Sequence, residues 1–519
     1  MIQEISSDKN RPTILGENHA RKCDEFFDKM DAMGLAMSYS DIRLKTNYSE
    51  VLPSIADVRT KFSRNVSLNL PIVSSPMDTV TEAEMAIAMA KLGGIGIIHK
   101  GLSPEVQAIH VVKVKRHLSA FIENPVCINV SQTVAEVLEM AEKNNYKFLS
   151  FPVVDGSKKL VGVMTSGHFE FCKDTSEKVS VIMQNEIITA PLGTTLEQAY
   201  NIMLDKKIKI LPILDAENNF KGIYTLSDAK RIVRGSSPNF NLAVDGTLRV
   251  GAAIGVGEDA KERMEFLSKA KVDVVVIDTA HGDSKGVIET IKYCKNSYPE
   301  IDVVAGNVSE AESAKNLASA GADAVRVGQG PGSICTTRII AGIGCPQATA
   351  VYNCAKALRG TGVPVVADGG IEYSGDITIA LALGAESVML GKLLAGTTES
   401  PGEIIYNQGK KQFKVYRGMG SLSAMIDYKA SRERYGQREI KSDKLVPEGV
   451  ESEIAYKGDV ADIIYQLAGG LRSGMGYCGS KTINDLQEKA NFYRITQSGS
   501  RESHPHGLDK IKRAPNYNS

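Results

Sequence analysis

Eleven consecutive residues, Gly328-Gln329-Gly330-Pro331-Gly332-Ser333-Ile334-Cys335-Thr336-Thr337-Arg338, combine residue types from which a reactive site is built. Three glycines at alternate positions let the backbone approach a bound group closely, and Ser333 with the free amides offers hydrogen bonds to an anion such as a phosphate. Cys335 then sits where a thiol faces a ligand, which makes it a candidate nucleophile. One cysteine among eight is more often a small buried hydrophobe, so this reading needs support from the rest of the chain.

Asp368, in Ala-Asp-Gly-Gly, supplies part of that support. A carboxylate at a strand end can accept two hydrogen bonds from a ribose diol, while Gly370 and Gly391 present amides to a phosphate. Each alone reads equally well as a strand-end turn; with the Cys335 loop they point to a nucleoside monophosphate. The chain has neither a Gly-x-x-x-x-Gly-Lys-Ser/Thr loop nor a strand-linked Gly-x-Gly-x-x-Gly, so a dinucleotide would bind outside those motifs.

The elements that must position these residues are short apolar runs at 70–78, 93–99, 250–255, 272–278, 301–307, 322–328, 364–370 and 387–391, separated by helical stretches. Nearly all end in polar or glycine residues. Eight such runs are the number that closes an α/β fold of the (β/α)8 TIM-barrel type, whose active sites lie at the C-terminal ends of the strands. The alternation is interrupted once. Phe151-Pro152-Val153-Val154-Asp155 is echoed by Leu211-Pro212-Ile213-Leu214-Asp215, and residues 160–165 by 220–225, 60 residues apart in both cases. Each copy reads helix, strand, turn, strand, so the two would bury a shared face. The insert resembles a tandem pair of CBS modules, which bind adenine or guanine nucleotides. Thr225-Leu226-Ser227-Asp228 keeps that family's Thr-x-x-Asp motif, whereas Thr165-Ser166-Gly167-His168 lacks the acid.

The expected organisation is an N-terminal arm (1–33, loosely ordered apart from a short helix around 24–30), a first barrel part (34–118), the CBS pair (119–235) and a second barrel part (236–519). The last contains a loosely patterned segment at about 405–450, of the kind that forms lids. With 61 basic and 61 acidic residues the chain has no broad field to hold nucleic acid or an anionic membrane. No apolar run approaches the roughly 20 residues needed to span a bilayer. No secretory signal is evident and no Cys-x-x-Cys pair occurs, so a cytoplasmic protein with reduced thiols is expected.

Taken together, Gly-Pro-Gly-Ser-Ile-Cys-Thr-Thr-Arg, Ser-Ser-Pro-Met-Asp-Thr-Val, Ala-Asp-Gly-Gly-Ile and Tyr-Arg-Gly-Met-Gly-Ser resemble the inosine-5′-monophosphate dehydrogenase family, from about residue 48 to the C-terminus. The resemblance implies oxidation of IMP to xanthosine monophosphate by NAD, with Cys335, Thr337 and the flap pair Arg434 and Tyr435 as catalytic residues. It implies that Ser75, Ser333, Gly370, Gly391 and Tyr416 hold the phosphate, Asp368 the ribose, and Met419, Gly420 and Glu448 the hypoxanthine, with Met77, Lys392 and Gly418 lining the same site. Asp278, Thr279, His281, Asn307, Gly328 and Gly330 would face NAD. A monovalent cation, potassium, would lie on Gly330, Gly332 and Cys335 together with Glu502, Ser503 and His504 of a neighbouring subunit, in a homotetramer or octamer.

Three departures stand out. Gln329 replaces a usually apolar residue, Lys392 stands where a small residue is common, and 37–41 is a poor version of the family's N-terminal strand motif. Two competitors remain in view: a guanosine-5′-monophosphate reductase, which shares the barrel and the cysteine loop but lacks the flap pair, and a nucleotide-sensing protein with an inactive barrel.

Overall fold

A computed structural model describes residues 21–118, 121–123, 125–143, 146, 150–157, 159–235, 239–407, 409, 411–509, 512 and 514–517. The chain divides into two compact units. One comprises 115–238 and 242–247, and the other the remaining described residues.

In the larger unit eight strands close into a barrel: β1 (Ile72–Ser74), β2 (Ile95–Ile98), β3 (Gly251–Ile254), β4 (Val274–Asp278), β5 (Asp302–Val308), β6 (Ala324–Val327), β7 (Val365–Asp368) and β8 (Ser387–Leu390). All neighbouring pairs are parallel, and each strand overlaps one of the expected apolar runs. The runs are nearly continuous because a barrel strand is buried on both faces. Val73, Ile95, Ile97, Val274, Val276, Val304, Val366 and Met389 fill the interior, and Phe62, Val66 and Leu68 from a small hairpin pack with them. Each such buried side chain contributes about 1.5–3 kcal/mol.

Helices follow the strands, and their first turns shape the loops. After β7, the Asp376 carboxylate of helix Ser374–Ala382 accepts the N–H groups of Glu372 and Tyr373, both at 2.9 Å, which fixes the turn leaving Gly369 and Gly370.

Two regions differ from expectation. Residues 1–20 of the N-terminal arm lie outside the described residues, but from Asp24 onward the arm is docked. Helix Asp24–Ala32 places the Asp24 carboxylate on Arg359, with two contacts of 2.7 Å, and stacks Phe27 on Tyr352 at 4.0 Å between ring centroids. Segment 405–450 is also more regular than its sequence suggests. It opens from an antiparallel sheet of Ile405–Tyr406, Gln412–Arg417 and Glu451–Ala455 and carries helices Leu422–Asp427 and Lys429–Arg434.

The smaller unit contains the repeat, expected over 119–235. One sheet joins Ile128–Asn129, Phe151–Val154 and Leu160–Met164; the other joins Ala190–Pro191, Ile210–Leu214, Phe220–Thr225 and Phe121–Ile122. Register slips between Val153 and Val154 in the first and between Ile213 and Leu214 in the second, equivalent positions of the two copies.

Candidate active site

The Cys335 loop leaves β6 under tight steric control. Gly328 (φ +148°) runs so close to β7 that an added Cβ would lie 2.1 Å from the Asp368 carbonyl, and one on Gly330 (φ +78°) would lie 2.5 Å from Arg338 Cγ. Only glycine fits at either place. The Gln347 amide ties the two strand ends together, donating to the carbonyls of Val327 (2.9 Å) and Asp368 (3.0 Å). Further on, Thr336 N–H donates to Glu448 O (2.9 Å) and Val450 N–H to Ile334 O (2.9 Å), so the loop is laced to the chain that re-enters from the lid segment.

This backbone presents a half-buried Cys335 in a cleft of about 600 Å³. Its Sγ–H donates to Thr337 Oγ1 at 3.2 Å, and the Thr337 hydroxyl donates to Glu448 Oε2 at 2.8 Å. A proton leaving the thiol therefore has a two-step path to a carboxylate. Arg434 and Tyr435 line the same cleft.

At one end of the cleft the structure gathers Ser75, Met77, Ser333, Gly370, Gly391, Lys392 and Tyr416. Ser333 Oγ is 3.5 Å from the Tyr416 hydroxyl, and a Cβ on Gly391 would stand 3.1 Å from that hydroxyl and 3.2 Å from Met77 Sδ. Burial pushes the Tyr416 phenol up to about 12, so it remains a hydrogen-bond donor. Lys392 is half exposed and reaches Glu372 at 3.6 Å. Gly418, Met419, Gly420 and Glu448 form the next part of the wall, with Glu448 N–H on Gly420 O at 3.0 Å and the Tyr435 ring against Gly420.

Beneath the cleft lies a charge cluster. Asp368 accepts hydrogen bonds from Asn307 Nδ2 (2.8 Å) and Arg326 Nε (2.9 Å); Arg326 also grips Asp278 at 2.6 Å, and Arg434 takes the other Asp278 oxygen. Lys100 Nζ caps the Asp278 carbonyl at 3.0 Å. Burial alone would raise the Asp278 carboxyl, but Arg434, Arg326 and Lys100 outweigh it and hold it far below the usual carboxylate range. Burial would likewise lower Arg434, yet Asp278 overrides it and keeps the guanidinium charged. Burial lowers Lys100 despite Asp278, and it raises the Tyr435 phenol.

Thr279, Asn307, Gly328 and Gly330 border the cleft, and Asp278 lies beneath it, whereas His281 is exposed outside its lining. Asn307 Oδ1 is buried without a hydrogen-bond partner, an acceptor free for a carboxamide such as that of nicotinamide. Of the cation set, Gly330, Gly332, Cys335, Ser503 and His504 line the cleft within this chain, while Glu502 is exposed away from it. Sequence reasoning missed Arg326, Lys100 and Tyr39. The first two carried a signal, a cation inside or at the end of an apolar strand run; buried Tyr39 lines the cleft from the poorly matching 37–41 segment.

A family model described as "IMP dehydrogenase / GMP reductase domain" matches residues 36–506. The chain belongs to this family. It is 52% identical over 93% of its length to the inosine-5′-monophosphate dehydrogenase of Aquifex aeolicus, covering 97% of that protein. It is 49% identical over 93% to the enzyme of that name from Bacillus subtilis, again covering 97%. Among solved structures, GMP reductase C318A from Trypanosoma brucei in complex with guanosine 5′-monophosphate is similar at a TM-score of 0.79 and 38% identity, over 93% of this chain and all of the other. The family thus holds two activities.

Proposed function

We propose that the cleft carries out the following chemistry. The chain is an IMP dehydrogenase, oxidising inosine 5′-monophosphate to xanthosine 5′-monophosphate; identity of about half the residues over 93% of the chain to several enzymes of that name supports this. The observation that carries the assignment of roles is the run of hydrogen bonds from Cys335 through Thr337 to Glu448, in a cleft that Arg434 and Tyr435 also line.

The nucleotide lies with its phosphate among Ser75, Ser333, Gly370, Gly391 and Tyr416 and its ribose on Asp368. Cys335 as thiolate adds to C2 of the hypoxanthine, its proton passing by way of Thr337 and Glu448 to solvent so that the carboxylate is free again for the hydrolysis step. NAD, when bound, supplies the acceptor for the hydride that leaves C2; Asn307, with its unpartnered Oδ1, Thr279 and Gly328 are the residues to hold it. Water then adds to C2 of the thioimidate, the carbon–sulfur bond breaks, and the thiol is restored. Arg434, kept cationic by Asp278, stabilises the hydroxide that forms, while Glu448 through Thr337 is the carboxylate placed to take the water's proton.

The carbonyls of Gly330, Gly332 and Cys335 suit a hard monovalent cation such as potassium. Residues 502–504 of a neighbouring copy would complete that site in a tetramer or octamer. In the inserted unit, Thr225 Oγ1 donates to Asp228 at 2.7 Å, while His168 Nδ1 takes the equivalent place beside Thr165 at 3.0 Å. The second copy is therefore the better nucleotide site.

The test is direct. Purified protein with IMP, NAD and K⁺ should raise absorbance at 340 nm and yield xanthosine monophosphate. Oxidation of NADPH with GMP in place of that reaction would move the chain to the reductase side of its family.

A further inference from the structure

The Gln329 side chain has no role in the chemistry above, although it is only 9% exposed and stands six residues before Cys335. Its amide is satisfied at both ends. Ser309 Oγ, after β5, donates to Gln329 Oε1 at 2.8 Å, and Gln329 Nε2 donates to the carbonyl of Ala280, after β4, at 3.1 Å. One side chain thus joins the loops that follow three successive barrel strands. Ala280 has a second partner on its other side: its N–H, in the 279–280 peptide, donates to the carbonyl of Arg434 at 3.3 Å. Apart from side-chain contacts, that bond is where the lid's catalytic pair meets the barrel through its backbone.

We infer that Gln329 is a positioning residue for the lid: by holding the carbonyl side of Ala280 it steadies the residue whose N–H meets the Arg434 carbonyl, and so favours the state in which Arg434 and Tyr435 face the Cys335 adduct. An apolar residue at 329 leaves the Ala280 carbonyl without this donor, and the 280–281 peptide is then free to turn about the Ala280 Cα. The 279–280 peptide, which carries the Ala280 N–H, is held on its other edge by Asn307 N–H on Thr279 O (3.0 Å), and the turn also by Thr279 N–H on Gly306 O (3.1 Å) and Gly282 N–H on Asn307 O (2.7 Å); none of these reaches the Ala280 carbonyl that Gln329 holds. The amide of Gln329 reaches Arg434 through main-chain atoms alone, so its effect falls on where the lid sits rather than on the charge of the guanidinium. The inference rests on the dehydrogenase reading, because only hydrolysis of the covalent intermediate needs the lid pair.

Gln329→Met keeps volume and flexibility and removes both hydrogen bonds. The whole chain is used. Rapid mixing with IMP and NAD should give a first-turnover NADH rate equal to that of the unaltered protein. Steady-state turnover should fall about fivefold, the factor corresponding to one hydrogen bond of typical net strength. Amide hydrogen exchange without nucleotides should quicken over 429–437 and stay unchanged in β6 and β7. Ser309→Ala, which frees only the Oε1 end, should move both quantities in the same direction by less, and it keeps the test available should the first variant fold poorly. Equal losses in the first turnover and in steady state would show a distorted Cys335 loop and overturn the inference, as would unchanged exchange over 429–437. If the unaltered protein forms no NADH, the dehydrogenase reading fails by itself, while the exchange experiment still decides whether Gln329 holds the lid.

Discussion

The two walls of the cleft are held in opposite ways. The wall with Cys335 is fixed by its own backbone: glycines pressed against β7, the Gln347 amide across two strand ends, and main-chain bonds to 448–450. The wall with Arg434 and Tyr435 hangs largely on charge. Arg434 sits on Asp278, and Arg417 at the base of the same segment sits on Asp78 (2.6 Å) and Asp427 (2.8 Å). Main-chain bonds between rigid strand ends persist, whereas ion pairs can separate and re-form as water replaces them. A nucleophile needs the first kind of support. In the proposed reaction Arg434 serves only the hydrolysis step, and a wall that acts in one step of two needs the second.

The largest expected effect tests the fixed wall. Cys335→Ala should abolish both NADH formation and the covalent adduct, a loss of at least about 10³-fold in turnover, checked by 340 nm absorbance and intact mass; an adduct on the variant would remove Cys335 from the nucleophile's role. Arg434→Ala tests the movable wall. The adduct should form at a normal rate and accumulate, with its hydrolysis slowed about 10²–10³-fold, as seen by mass spectrometry of protein quenched during turnover. If both steps slow together, the two walls do not divide the work.

The smallest effect is a pH dependence on the charged side. Lys457, just beyond the lid's sheet, donates to the carbonyls of Lys392 (2.5 Å) and Leu393 (3.2 Å) beside the phosphate end. Burial, and then Lys392, bring its ammonium down to about 8. A lysine lowered on folding binds fewer protons in the native state than in the unfolded one between about 8 and its ordinary value. Its penalty is therefore fully present below pH 8 and fades as pH rises from there. Stability of the parent relative to Lys457→Met should rise between pH 7.5 and 9.5 in denaturant titrations, and Lys392→Ala should shift that rise to higher pH. A difference between parent and variant that stays flat over this range would mean the ammonium is not desolvated.

The barrel and the Cys335 loop are legible in sequence because their signals are local. A strand buried on both faces must be apolar along its length, and a backbone that touches a ligand must be glycine, so runs and glycines mark the place. The repeat is legible for a related reason, since two copies of one pattern 60 residues apart verify each other. Arg434 carries no such mark. In Ser431-Arg432-Glu433-Arg434-Tyr435 it reads as a solvated surface charge, and only the fold brings Asp278, more than 150 residues earlier, to its guanidinium. Family resemblance supplied what local patterning lacked. The docked arm was missed because Asp24 and Arg359 form a pair no spacing rule connects, and Tyr39 because its segment matches the family pattern poorly.

Arg326 divides one guanidinium between Asp278 and Asp368 inside the barrel, 3% exposed. Removing Asp278 leaves the largely buried Arg434 without its carboxylate, a state that costs about 3–5 kcal/mol, whereas removing Asp368 leaves Arg326 still paired with Asp278.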